Sequence, residues 1–284
     1  MTSLRGSSVT ALLLLPAAVL LFVFLILPLC SMLWLSLSPN TLVHFKGPGL
    51  GNYAYLLGKS YYLRVGWRTL RLALLCTGLS ILFGYPAALA MRRETSEAVR
   101  GLTLAMTLPV LAGPLVVVLG WMVLLSDGGP MLQPLRALGL IGPLRLLGSE
   151  SGIVIGALHF VLPFVILSLT SAVRAIPADL SEAVRDLGAS WWQEFLYLIL
   201  PLSAPGLVAS TVVALSLSMS SFVAPHYLGG PADLTLTTLV SQFILATYNG
   251  QLAATVSMIL LVVMAALLAL LTAGTARWLR MASA

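Results

Sequence analysis

The chain has 284 residues, of which 59% are hydrophobic and only 8% charged, and its mean hydropathy is +1.02. A surface facing water needs far more charge than this, so a soluble domain is excluded and an integral membrane protein is expected. The net charge of +6 comes from Lys and Arg scattered at the ends of apolar runs, with no basic stripe among interleaved aromatics. That excludes nucleic acid as a partner and leaves anchoring in membrane lipid as the plainer expectation.

A helix needs roughly 20 apolar residues to cross the hydrocarbon of a bilayer. Six runs qualify, at about 10–37, 67–91, 102–125, 153–173, 204–227 and 251–273. Lipid offers nothing to pair an open strand edge, so all six are expected to be helices, the fold class is all-α, and 1–284 is one transmembrane domain.

In chain order, residues 1–9 carry Arg5 as their one charge, as expected of a short cytoplasmic tail. Pro16 and Pro28 lie inside the first run, where neighbouring groups can re-satisfy a freed carbonyl. Cys30 and Cys76 also fall inside apolar runs and are assigned no chemistry. The run before Cys30 is too long for a cleaved signal, and Leu27-Pro28-Leu29 lacks the small residues expected ahead of a lipoprotein cysteine. Between the first two runs the chain turns polar and aromatic, with Asn52, Tyr53, Tyr55, Tyr61 and Tyr62 reading as an interfacial belt. Arg92, Arg93 and Arg100 mark the connection after the second run as an inside loop. The segment 126–152 is too broken by Gly and Pro to span, and it is expected to form an outer loop with a short helix near 132–138. The fourth run carries His159, which reads either as a packing residue or as part of a polar pathway.

The stretch 174–203 concentrates charge and turn chemistry. Leu180, Ala183, Val184 and Leu187 recur at helical spacing as one apolar stripe, with Glu182, Arg185 and Asp186 on the opposite side. Asp179 and Glu182 have the spacing of a capping box, and Gly188 stands where a helix ends on a left-handed residue. Ser190 and Gln193 form a second box, opening a helix through Trp192, Phe195, Leu196 and Ile199 that Pro201 is expected to interrupt. In the fifth run Ser216 and Ser220 lie one turn apart, either permitting close helix packing or lining a polar path. Arg277 and Arg280 close the chain as inside anchors.

The run Glu182-Ala183-Val184-Arg185-Asp186-Leu187-Gly188-Ala189, with Leu200-Pro201 and Pro205-Gly206 downstream, resembles the EAA loop of permease subunits in binding-protein-dependent ABC importers of the type I, MetI-like fold. The commonest form of that loop has Ala where Val184 stands. Leu50-Gly51-Asn52-Tyr53 with Arg68-Thr69-Leu70, and Leu228-Gly229-Gly230-Pro231 after the fifth run, are similar to segments of the same family. The third run, residues 108–125, resembles the spermidine/putrescine type, departing from it at Val117, where an arginine is common.

The resemblance implies that residues 174–203 are cytoplasmic and that Leu180, Glu182, Ala183, Val184, Arg185, Asp186, Leu187 and Gly188 couple the chain to an ABC ATPase, present in two copies. It also implies a second, homologous permease subunit, an outer solute-binding protein that meets the 126–152 loop, and a bacterial plasma membrane location with both termini cytoplasmic. The solute path is expected at the interface of the two permeases, with Trp121, His159, Ser216 and Ser220 as candidate lining residues.

No G-x-x-x-x-G-K-[ST] occurs, nor any metal-ligand or Ser/His/Asp spacing, so the chain is expected to be no enzyme and to hold no cofactor, with ATP and Mg on the partner ATPase. A polyamine is the first expectation for the solute, with ferric iron, thiamine, sulfate and phosphonate as alternatives. A secondary transporter working alone should show inverted repeats and charges at mid-depth, which are not found. A structural membrane protein leaves the 174–203 stretch unexplained.

Overall fold

The computed structural model describes residues 3–40, 47–93, 97–139 and 145–282. Among these residues the ordered structure is helical, and six helices are long and apolar enough to cross a membrane. They are α1 (Ser3–Leu37), α3 (Ser60–Arg93), α4 (Glu97–Leu124), α6 (Glu150–Arg174), the continuous run Trp191–Ser220, and α12 (Gly250–Ala282). Short helices lie between them: α2 (Gly51–Leu57), α5 (Leu132–Ala137), α7 (Ala178–Asp186), α10 (Val223–Leu228) and α11 (Leu236–Leu245). The run Trp191–Ser220 is built from α8 (Trp191–Glu194), a π-helical turn (Phe195–Ile199) and α9 (Leu200–Ser220).

Two expectations about the fifth span are corrected. Pro201 does not interrupt the helix: it sits in the first turn of α9, directly after the wide π turn, where its missing N–H is tolerated. The span therefore starts at Trp191 rather than 204 and stops at Ser220 rather than 227. Pro225, His226 and Tyr227 belong to α10, a separate short helix after the extended Ser221.

The chain divides into two compact units. One comprises 1–63 and 239–262. There Asn52 is fully buried and donates through Nδ2 to the carbonyls of Ser36 (2.9 Å) and Ser38 (3.0 Å), and Ser36 Oγ pairs with Tyr53 OH at 2.8 Å. The Asn40 and Asn249 amides bond each other in both directions, and Asn249 Oδ1 also accepts from Leu252 N in the first turn of α12. Buried amide donors are costly unless satisfied, so the Asn52 Nδ2, Asn40 and Asn249 bonds fix the segment that the sequence showed as polar and aromatic, while Asn52 Oδ1 is buried without a partner among the described residues. α1 exposes Leu21, Phe22, Phe24 and Leu27, which suits a helix whose surroundings are lipid or another apolar chain.

The other unit, 64–238 with 263–284, is built around α6. Val161, Val165, Ile166, Leu169 and Val173 are all but inaccessible along its length. α6 packs most extensively on α9, where Gly206 lies against Ala172 so closely that any Cβ on it would clash. Small residues of this kind are what allow membrane helices to approach. Toward one end Leu72, Cys76, Val118, Ile153, Ala157, Ala224 and Leu228 form a further core, against which Trp121 packs.

Candidate functional site: an exposed loop helix and a span cavity

α6 runs out at Arg174, whose guanidinium donates to the Met91 carbonyl at 2.8 Å. Arg92 reaches over the connection, donating to Ile176 O (3.2 Å) and Ser181 Oγ (3.1 Å), so the buried face of α7 carries Ser181. The Asp179–Glu182 capping box is not formed. Pro177, in extended backbone, is the N-cap and Asp179 already sits inside the first turn, where its charge meets the positive helix end but its side chain cannot cap.

The far end of α7 is as the spacing predicts. Gly188 has φ +82°, its N–H bonds Arg185 O (2.8 Å), and Ala189 N–H bonds Val184 O (3.3 Å), which together make a Schellman motif. Ser190 and Gln193 then form the expected capping box, with Ser190 N donating to Gln193 Oε1 at 2.7 Å and Gln193 N to Ser190 Oγ at 3.4 Å.

Within this chain the apolar stripe of α7 has no cover. Leu187 is 88% exposed and Leu180 43%, Ala183 is exposed, and Val184 is half-buried. Glu182 and Asp186 are exposed too. Arg185 behaves differently: its guanidinium turns back onto the Glu194 carboxylate through two bonds of 3.0 and 3.1 Å. Glu194 is 1% exposed, and its hydrogen bonds, then its charge, hold Arg185 above the usual guanidinium range. Sequence reasoning missed Glu194, because a lone acid at the start of an apolar run has no periodic signal.

The four candidates for a solute path separate into two places. Trp121 and His159 meet edge to face at 5.7 Å between ring centres, on α4 and α6. Ser220 lines a cavity of about 220 Å³ with Pro114, Val118, Gly156, Phe160, Ser221 and Phe222. Ser216 does not line it but accepts the Ser220 hydroxyl through its carbonyl at 2.8 Å. α4 bends at this cavity: Gly113, with φ +78° and ψ 160°, directly precedes Pro114. A residue before proline is driven out of the helical region, and only glycine takes this conformation without strain.

At the opposite end of α6, Glu150 in its first turn binds both Arg68 and Arg71, and Arg68 also donates to the Ala232 carbonyl. Thr69 Oγ1 accepts from Leu236 N at 2.8 Å, so the segment after Gly229-Gly230-Pro231 is tied to α3. The Arg68-Thr69-Leu70 run is thus an anchor for that loop. Among the described residues no group of three His, Cys, Asp or Glu side chains gathers as a metal site.

Six helices able to cross a membrane, with an exposed, Schellman-capped helix between the fourth and fifth, define a polytopic membrane protein, and comparison with known proteins gives the family. Residues 80–281 match the model for the inner membrane component of binding-protein-dependent transport systems, and the chain belongs to that family. It is a permease subunit of a binding-protein-dependent ABC importer. Among its relatives is the spermidine/putrescine transport system permease protein PotB of Haemophilus influenzae, 33% identical over 218 residues and covering 76% of each chain. The PotB of Escherichia coli is 30% identical over 77% of this chain and 80% of its own. The molybdenum transport system permease protein ModB of Mycobacterium bovis is 30% identical over 68% of this chain and 72% of its own. In fold, a permease from a crystal structure of a bacterial alginate ABC transporter superposes with a TM-score of 0.78 at 17% identity, covering 97% of this chain and 96% of its own. The MetNI methionine ABC transporter gives 0.58 at 18% identity, covering 81% and 97%.

Proposed function

We propose that this permease pairs with a second, homologous permease to pass a polyamine delivered by an outer solute-binding protein, driven by two copies of a separate ABC ATPase seated on α7. The chain itself is non-catalytic and holds no cofactor; ATP and Mg belong to the ATPase. Residues 174–190 and both termini lie in the cytoplasm of a bacterial cell, and the loops around 126–152 and 229–235 face outward. The observation that carries the coupling assignment is the bare apolar stripe Leu180–Ala183–Leu187 on a helix held by Arg92 below and Gly188 at its end. Exposed apolar side chains on a fixed, short helix are what a partner's groove needs.

For the solute, the two PotB relatives favour spermidine or putrescine, and ModB supplies molybdenum as the competing reading. Among the described residues the acids within the six crossing helices are Glu97, Glu150 and Glu194, each near a helix end, and the last two are paired with arginine. A polyamine ammonium passing the Trp121 ring and the cavity would therefore meet aromatic faces and hydroxyls: Trp121, Phe160, Phe222, Ser220 and Ser221. The test is calorimetric titration of the cognate binding protein with spermidine, putrescine and molybdate, followed by uptake in cells carrying the whole importer. Polyamine binding with polyamine uptake is the expected result, and selective molybdate binding would overturn it.

A further inference from the structure

The Arg185–Glu194 pair bridges the two sides of the Gly188 turn, joining the exposed loop helix to the base of the fifth span. From this we infer that Glu194 is a positioning residue: with Arg185 it locks α7 to the span, so that movement imposed on α7 is delivered to α9. The inference rests on the reading of α7 as the ATPase seat, and it adds the device that makes the seat a lever.

The geometry separates this role from docking. Arg185 was expected on the polar face of α7 beside Glu182 and Asp186, available to a partner. Instead its Nε and Nη2 bond within the chain, in the bidentate form that fixes orientation as well as distance, while half of the side chain stays exposed. The carboxylate that receives them is buried, at 1% exposure, although it stands in the first turn of an apolar span. A charge placed there is costly without a counter-ion, so the pair holds one arrangement rather than many.

A second brace is independent of the first. Arg92, from the end of α3, bonds Ser181 Oγ and Ile176 O and holds the start of α7. With α7 fixed at its start by Arg92 and at its end by Glu194, the Gly188 turn is spanned rather than left as a free hinge. Directly above Glu194 lies the π turn Phe195–Ile199, the one irregular stretch in the span. Such turns mark functional positions in helices, and this one links the locked Glu194 directly to α9.

The test uses the complete importer, with its second permease, ATPase and binding protein, in lipid nanodiscs. Amide hydrogen exchange of residues 207–220 is compared between the nucleotide-free importer and the importer trapped with ATP and vanadate. For Glu194→Gln we expect the ATPase to stay bound and to hydrolyse ATP, while the exchange difference falls by about fivefold or more, the lower end of usual allosteric coupling. Arg185→Ala, which strands the buried carboxylate, should also lower the thermal stability of the importer. Adding Glu194→Gln to it should restore stability but not transmission. Wild-type exchange differences in Glu194→Gln and in the double variant would overturn the lock. Leu180→Asp serves as the control for the reading beneath it: if the ATPase remains bound to that variant, α7 is not the seat. If it is released while Glu194→Gln transmits normally, the lock alone is wrong.

Discussion

Gly188 is where local stereochemistry has the most leverage. Its φ of +82° is required by the Schellman turn, and the space around its Cα is open, so a side chain there is opposed by backbone conformation and not by crowding. Gly188→Val should cost about 1–3 kcal/mol at the turn, either loosening the end of α7 or changing its angle to the fifth span. Uptake should be lost while the protein still inserts and is expressed, as measured by transport in cells alongside quantified membrane levels. Glu182 has lost one of its two expected roles, because Pro177 and not Asp179 occupies the N-cap position and no capping box forms. What is left to it is a charge contact across the docking face, and on that basis Glu182→Ala should weaken retention of the ATPase more than Asp186→Ala. Pull-down of the ATPase with each variant measures this directly, and equal retention would assign Glu182 to the solvated side.

At the scale of the helix, α4 is governed by Gly113-Pro114 and the fifth span by the π turn before Pro201. Gly113→Ala forces an L residue into a left-handed conformation, costing about 1–3 kcal/mol, or straightens α4 and moves Pro114 at the cavity wall. Either outcome should reduce uptake with the ATPase still bound. Ser220→Leu tests the same cavity by filling it: transport should fall with assembly intact, and unchanged uptake would return Ser220 to helix packing. These elements also show what was legible in the sequence. Apolar length gave the number of crossing helices, six, and the Gly188, Ser190 and Gln193 signals located the turn to the residue, because both are local properties. The break after Ser220 was missed because residues 221–227 continue the apolar run, whereas the helix ends on the extended Ser221 backbone. The Pro201 break was wrongly expected because a π turn has no sequence pattern of its own. The pairs Arg185–Glu194, Arg92–Ser181 and Arg68–Glu150 join segments that only tertiary packing brings together.

At the scale of the whole molecule, Lys and Arg occur at both ends of the spans, so charge bias alone does not orient the chain. The two ends differ in what their arginines do. Arg92, Arg174 and Arg185 brace the connections around α7, whereas Arg68 and Arg71 share Glu150 at the start of α6 and Arg136 pairs with Asp127 at 3.0 Å. Six spans return the chain to its starting side, so if α7 is cytoplasmic both termini are as well. Single cysteines test this at two positions exposed in this chain and separated by one span: Arg145, before α6, and Asp186, after it. Cys30 is exposed and Cys76 buried, so both are first replaced by alanine to clear the background. A membrane-impermeant maleimide added to intact cells stripped of their outer membrane should modify Arg145→Cys and spare Asp186→Cys. Once the membrane is permeabilised, both should react, except that a seated ATPase should slow Asp186→Cys relative to the permease expressed alone. Labelling of Asp186→Cys from outside would invert the orientation and, with it, remove α7 from any contact with a cytoplasmic ATPase.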